Sequence, residues 1–288
     1  MKRISRLLGT LILAFSAAGI AMLPAAQAAA KPTIKLGYVQ SWPSSAITTS
    51  LAATVIRERL HTPVEMVSSA AGPMWEAVAS DHTDAMLTAW LPTTHKTYYE
   101  KLWTRVVNLG PNVTGTQLGL AVPKYVPVNT IAGLEKYAGK FQDRIVGVGA
   151  GAGINMNTET AIKTYGLKSF QLQTSSTAAM TAQLQRAIKR KQWIVVTAWT
   201  PMWMWAKFDI KYLKDPKNVY GVGGHINTIA NPGLIKKDPA VFTFLRRFSI
   251  SSAQLQQMML EAKNGKPVKS VVAAFIKAHP KQVQGWLD

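Results

Sequence analysis

Apolar and polar positions along this chain change period in a regular succession, and each change predicts an element. Residues 34–39 alternate and are rich in strand formers, which predicts a first strand. The loop at 40–45 ends in small hydroxyl residues suited to capping a helix, and over 46–60 the apolar positions Leu51, Val55, Ile56 and Leu60 recur on one helical face. After the Thr62-Pro63 break come a strand at 64–67 and a turn at 68–73, whose Pro73 suits the first turn of a short helix to residue 79. A third strand opens with the apolar run 85–87. Strand, helix, strand, helix, strand implies a parallel sheet with helices on its faces, in which ligands bind beyond the carboxyl ends of the strands.

A helical stretch at 94–103 and a strand at 116–122, read as a first crossing between domains, separate this cycle from a second one. Strand 145–148, a glycine loop at 149–154, helix 157–165 and strand 170–172 begin it. A Ser175-Ser176-Thr177 turn, a helix carrying Met180, Leu184 and Ile188, and strand 193–197 complete it. The two cycles end alike, in Thr88-Ala89-Trp90-Leu91-Pro92 and in Thr197-Ala198-Trp199-Thr200-Pro201, so each places an indole where a strand opens into a loop. The duplication predicts two similarly built α/β lobes, 31–118 with a return segment after about 225, and 119–224. A return strand near 225–229 is the expected second crossing. Helices at 239–248, 252–263 and 268–279 fill the C-terminal region 230–288, which pattern alone assigns to neither lobe.

Composition narrows the compartment. A basic head at 1–6, an apolar run at 7–23 and the small residues Ala26 and Ala28 match a secretory signal peptide over 1–28, cleaved near Ala28. A transmembrane anchor is the rival, but the run contains Gly9, Ser16 and Gly19 and is marginal in length for a span. The chain has no cysteine, so lipidation of a cysteine after the leader, disulfides and thiol chemistry are all excluded. A free periplasmic monomer stabilised by its core is the expectation. Without Lys2, Arg3 and Arg6 the formal charge falls from +19 to +16. The basic residues are scattered, and the one dense cluster, Lys189-Arg190-Lys191, falls at a predicted helix C-terminus, where cations suit the macrodipole. A basic exported protein fits better than a nucleic-acid binder.

Trp42, Trp90 and Trp199 stand at loop positions on the same side of the predicted sheets. Indole faces carry a negative quadrupole, and several together attract a quaternary ammonium, which has no N–H for a carboxylate to accept. Packing is the other common use of tryptophan. Of the nine in the chain, Trp75, Trp103, Trp193 and Trp286 are assigned to packing, with Trp203 and Trp205 left open. Gly149, Gly151 and Gly153 let the backbone approach a ligand, and amides at the start of the following helix form an anion site. The spacing is not that of a phosphate loop, and the acidic residue of a dinucleotide fold is absent, so a carboxylate fits best. His95, three residues after Pro92, is a candidate donor to it or else a surface residue. The five histidines (61, 82, 95, 225, 279) show no metal-ligand spacing, and no Gly-x-Ser-x-Gly surrounds Ser44 or Ser45. No enzyme activity, metal or cofactor is expected.

These residues resemble a known family. GYVQSW (37–42), AGPMWEAVA (71–79), TAWLPTTH (88–95), GAGI (151–154), SSTAAMTAQL (175–184) and VVTAWTPMWMWAKFDIKYLKDPK (195–217) are similar to segments of the glycine betaine substrate-binding proteins of ATP-driven (ABC) osmoprotectant importers. The resemblance implies a two-lobed, hinged periplasmic-binding-protein fold of type II-like α/β architecture, with the ligand in the interlobe cleft. It implies that Trp42, Trp90 and Trp199 box the trimethylammonium group, and that His95 and the amides of Gly153 and Ile154 hold the carboxylate. A membrane permease is the implied partner. Pro43 and Met202 depart from residues common among relatives, an acid and a histidine, which leaves carnitine, proline betaine, choline or a sulfonium analogue open as ligands. A solute sensor using the same pocket is the other class.

Overall fold

Helices flank one curled, nine-stranded sheet, so the chain is mixed α/β as its alternation implied. The computed structural model describes residues 31–149 and 152–288, of which Pro32–Asp288 form one compact unit. The expected leader at 1–28 lies outside the described residues, as does Gly151 of the glycine loop. The first cycle is β1 (Ile34–Tyr38), α1 (Pro43–Arg59), β2 (Val64–Ser68), α2 (Ala71–Ala79) and β3 (Ala85–Leu91). Next come α3 (Lys96–Leu102), the long β4 (Val107–Pro123) and a 3-10 segment at Ala132–Phe141. The second cycle is β5 (Arg144–Val146), α4 (Gly153–Thr164), β6 (Gln171–Gln173), α5 (Thr177–Lys189) and β7 (Val196–Thr200). After it follow α6 (Met204–Lys207), β8 (Ile210–Tyr212) and β9 (Gly224–Ala230). The chain ends in α7 (Leu234–Lys237), α8 (Pro239–Arg247), α9 (Ser252–Lys263), α10 (Val268–Ala278) and α11 (Pro280–Gly285).

The strand order β2-β1-β3-β9-β4-β7-β5-β6 has the two cycles on either side of a central pair. β1 lies parallel between β2 and β3, and β5 lies parallel between β6 and β7, so each cycle builds the same three-stranded unit. The third strand of each unit then meets a central strand antiparallel: β3 meets β9, and β7 meets β4. β4 serves both halves of the sheet, pairing with β9 from Val107 to Thr116 and with β7 from Gln117 to Ala121.

Sequence pattern missed the first part of β4 because Gly110, Pro111 and Gly115 interrupt its alternation. The strand continues through them by shifting register three times against β9, with Gly110 and Gly115 at φ +100° and +72°. Helix starts also came early. α1 begins at Pro43 rather than 46, since proline lacks the N–H that a first turn leaves unpaired and its φ is already helical. Trp42 is therefore the N-cap, and Ser45 accepts from the Val39 N–H (3.0 Å) instead of capping the helix. α4 begins at Gly153 rather than 157, and β7 begins at Val196 rather than 193.

The core closes around α1, whose Leu51, Ala52, Ala53, Val55 and Ile56 are fully buried. α9 and α10 pack on α1, and α9 also meets α6 and β4, so the C-terminal helices touch both parts of the chain. Trp286 packs on Phe248 with ring centroids 4.7 Å apart and also contacts Phe244 and Phe275. Burying a side chain of that size stabilises by roughly 1.5–3 kcal/mol. Trp75 is buried and Trp193 half-buried, as assigned. Trp103 is not a packing residue: it is 62% exposed, because α3 ends at Leu102 and the ring falls past the helix's buried side.

Candidate functional site

In the first half of the sheet, β1 delivers Val39, whose carbonyl accepts from the Trp42 N–H (3.0 Å) in a tight turn. That turn leaves the Trp42 ring half-buried and stacked on the imidazole of His95, with centroids 5.8 Å apart and planes at 24°. His95 in turn meets Trp75 of α2 edge-on at 6.1 Å and Tyr98 of α3 at 5.8 Å. The histidine expected as either a donor or a surface residue is thus inside the fold, 4% exposed.

His95 is locked to the peptide of Trp90 from both sides. Its own N–H donates to the Trp90 carbonyl (2.8 Å), and the Trp90 N–H donates to its Nδ1 (3.2 Å). An Nδ1 that accepts puts the proton of a neutral ring on Nε2. Burial holds the ring neutral by pushing its pKa down from 6.5 to about 4. Nε2–H therefore remains as a donor, with no acceptor for it among the described residues.

Trp90 and Trp199 occupy matching places. Each is half-buried in the third strand of its cycle, Trp90 paired with Ile226 of β9 and Trp199 with Leu118 of β4. Both are followed by a cis X-Pro bond, Leu91-Pro92 and Thr200-Pro201. Both rings leave from within a strand rather than from the loop beyond it, because the strands run three to four residues past the apolar runs that marked them. Around Trp199, Trp205 Nε1–H donates to its carbonyl (2.7 Å), and the Trp205 ring lies against Tyr212 with centroids 4.2 Å apart and planes tilted by 33°. The Tyr212 hydroxyl reaches Thr200 Oγ1 (2.9 Å), which braces the strand end.

Gly153 and Ile154 are the first two residues of α4, a helix that packs on β7 and β4. Ala152 at the N-cap offers no side-chain acceptor and the first turn has no acid, so these amides meet no capping group. Space beside Gly153 is open, whereas a Cβ on Gly147 would lie 2.8 Å from Asn155 Oδ1. Buried Asn155 holds the loop in place: its Oδ1 accepts from the Val148 N–H (3.2 Å), and its Nδ2 donates to the carbonyls of Val148 and Gly149 (both 3.0 Å). Sequence reading missed Asn155, Tyr98 and Tyr212, each of which acts through a neighbour. A polar residue directly after the predicted glycine loop was the available signal for Asn155.

Six candidates thus fall into two groups, Trp42, Trp90 and His95 in the first half of the sheet, and Trp199, Gly153 and Ile154 in the second. The three indoles do not stack on one another among the described residues. A cavity of about 430 Å³ at the crossing is lined by Gln117, Leu118, Tyr212 and Asp215, with none of the six. It holds no indole. Pro43 is exposed at the start of α1 and Met202 is buried. No cluster of metal-ligating residues occurs among the described residues.

Residues 32–278 match the family model described as the substrate binding domain of ABC-type glycine betaine transport systems. Over 146 residues the chain is 47% identical to the glycine betaine/carnitine transport binding protein GbuC of Listeria monocytogenes. That match covers 50% of this chain and 49% of GbuC, so the chain spans about half the length of this relative. Among solved structures, lactococcal OpuAC in its closed form complexed with glycine betaine is 36% identical, with TM-score 0.78 over 90% of this chain and 100% of that one. The glycine/betaine/L-proline-binding protein ProX of Borrelia burgdorferi is 32% identical, with TM-score 0.76 over 89% and 97%.

Proposed function

The chain belongs to the family of substrate-binding domains of ABC-type glycine betaine transport systems, and from that premise we propose that it captures a quaternary ammonium solute, glycine betaine first, and hands it to a membrane permease. The observation that carries this reading is the Trp42 indole stacked on a neutral, donor-bearing His95. A zwitterion with a methylated cation and a carboxylate requires such a pair, an electron-rich face beside an uncharged N–H donor. A charged imidazolium there would repel the cation.

In this reading Trp42, Trp90 and Trp199 surround the trimethylammonium group, each contributing about 1–2 kcal/mol when desolvated. His95 Nε2–H and the amides of Gly153 and Ile154 hold the carboxylate, the amides assisted by the α4 dipole. The lobes are 31–118 with the return after about 225, and 119–224, with the handover near Thr116 of β4. Ligand contacts from both lobes favour the closed form by differential affinity, and the permease reads that form. The protein is exported through its leader at 1–28 and works as a periplasmic monomer without chemistry of its own. The family description and the relative, named for transport and substrate binding, support the role in solute transport.

Calorimetric titration of Trp199→Ala with glycine betaine is the test, together with titration of the wild type with glycine. Loss of one indole face should weaken betaine at least about tenfold, equivalent to about 1.4 kcal/mol, and glycine should bind far more weakly than betaine. Unchanged affinity in the variant, or equal affinity for the two ligands, overturns the cage. Choline, carnitine and proline betaine are the alternative ligands because Pro43 and Met202 border the cage positions in sequence.

A further inference from the structure

We propose that the chain carries a second binding site, for a phosphate group, at the opposite end of β5 and β7 from Trp199 and the glycine loop. Arg144, Arg186 and Arg190 line one pocket of about 260 Å³ there, with the amides of Gln142 and Gln183 and the ring of Trp193. No acidic residue lines it, and Asp143, although next to Arg144 in sequence, is not part of the wall. Lys140 Nζ lies over the Trp193 ring at 6.0 Å and adds a fourth cation to the surroundings.

The three guanidinium groups come from two unrelated elements. Arg186 and Arg190 sit one turn apart at the end of α5, where a helix C-terminus favours cations. That accounts for those two, although like charges four residues apart repel. It does not account for Arg144, the first residue of β5, which converges on the same pocket. Arg144 is oriented by neutral groups: Nη1–H donates to Gln173 Oε1 (3.1 Å) and Nη2–H to Gln142 Oε1 (2.6 Å). Its direction is fixed while its charge stays uncompensated, which is the preparation an anion site requires. Arg186 and Arg190 meet no carboxylate among the described residues. Several planar donor forks around one concavity match the three or more acceptor oxygens of a tetrahedral phosphate better than the two of a carboxylate. The volume lies just below the usual range for ligand pockets, which suits a small group such as a phosphate, a phosphate ester or a phospholipid headgroup.

The test uses the purified protein at low ionic strength, with inorganic phosphate and pyrophosphate in calorimetry, and phosphatidylglycerol against phosphatidylcholine vesicles in co-sedimentation. Saturable binding of the phosphates or of the anionic vesicles is expected. Arg186→Gln with Arg190→Gln should weaken it at least about tenfold, whereas the charge-matched pair Lys269→Gln with Lys277→Gln, both on α10, should leave it unchanged. Response to the free phosphates identifies a soluble ligand, and response to the vesicles alone identifies a headgroup. Binding in neither assay, or equal loss in both double variants, overturns the site.

Discussion

Replacing His95 by asparagine should flatten the acid side of the protein's stability profile. Asparagine offers Oδ1 in place of Nδ1 to accept from the Trp90 N–H, without a titrating ring. In the wild type the folded ring has its pKa pushed down from 6.5 to about 4 by burial. Unfolded chains therefore take up this proton before folded ones do as pH falls. The stability from keeping the ring neutral is fully present above pH 6.5 and is lost between there and about 4. At 1.36 kcal/mol per unit the whole window is worth about 3 kcal/mol, and most of it, between about 2 and 3 kcal/mol, is lost by pH 4.5. Urea titrations of both proteins at pH 7.5 and 4.5 measure it, since carboxylates elsewhere contribute equally and cancel in the difference. The wild type should lose that much more than His95→Asn. Parallel losses, agreeing within about 0.5 kcal/mol, would mean that the imidazole is no harder to protonate folded than unfolded, and that burial does not hold the ring neutral.

Asp238→Ala removes the N-cap that accepts from Ala240 and Val241 (3.1 and 3.0 Å) and leaves the buried Thr62 hydroxyl with only the longer contact to the Leu60 carbonyl (3.4 Å) among the described residues. It should lower unfolding stability by about 1–3 kcal/mol in a urea melt while leaving solute affinity alone. Lys237→Met strips the cation from Asp84, whose side chain is 3% exposed and, among the described residues, keeps only the Lys35 N–H. Because Lys237 is itself 34% exposed, the expected loss is about 2 kcal/mol, below that of a fully buried pair, read from the same melt. Gly224→Ala would set a Cβ 2.4 Å from the Leu91 carbonyl. The shift it forces should lower stability by about 1–3 kcal/mol and, because Leu91 follows Trp90, should weaken betaine binding in calorimetry as well.

Local pattern located most of the elements in the two cycles because each has a private signal, alternation for β1 and a 3.6 period for α1. What it could not supply was pairing. β4 reads as a strand only from about 116, since the evidence for residues 107–115 lies in β9, more than a hundred positions away. The same holds at the site. Trp90 and Trp199 were visible as a repeated motif, and the capacity of indoles to hold a cation is a property of the residue alone. The burial of His95 is different. It needs Trp75 from α2, Tyr98 from α3 and Trp42 from the loop after β1, and no spacing within the chain encodes that meeting. Trp103 failed for the converse reason, since a tryptophan in a helical window looks buried until the end of the helix is known.

The irregular stretch of β4 bears on mechanics. Two antiparallel strands side by side, β4 and β9, form a ribbon between the two three-stranded units. Such a ribbon yields when bent out of its plane, which only tilts ladder hydrogen bonds, and resists sliding, which breaks them all. The three register shifts within Asn108–Thr116 concentrate that compliance in one short length and add local twist. Sliding is penalised further by parity. One residue of slip between β4 and β7 would turn Trp199 to the opposite face of the sheet. The connection therefore behaves as a leaf spring, free in one direction and stiff along its length.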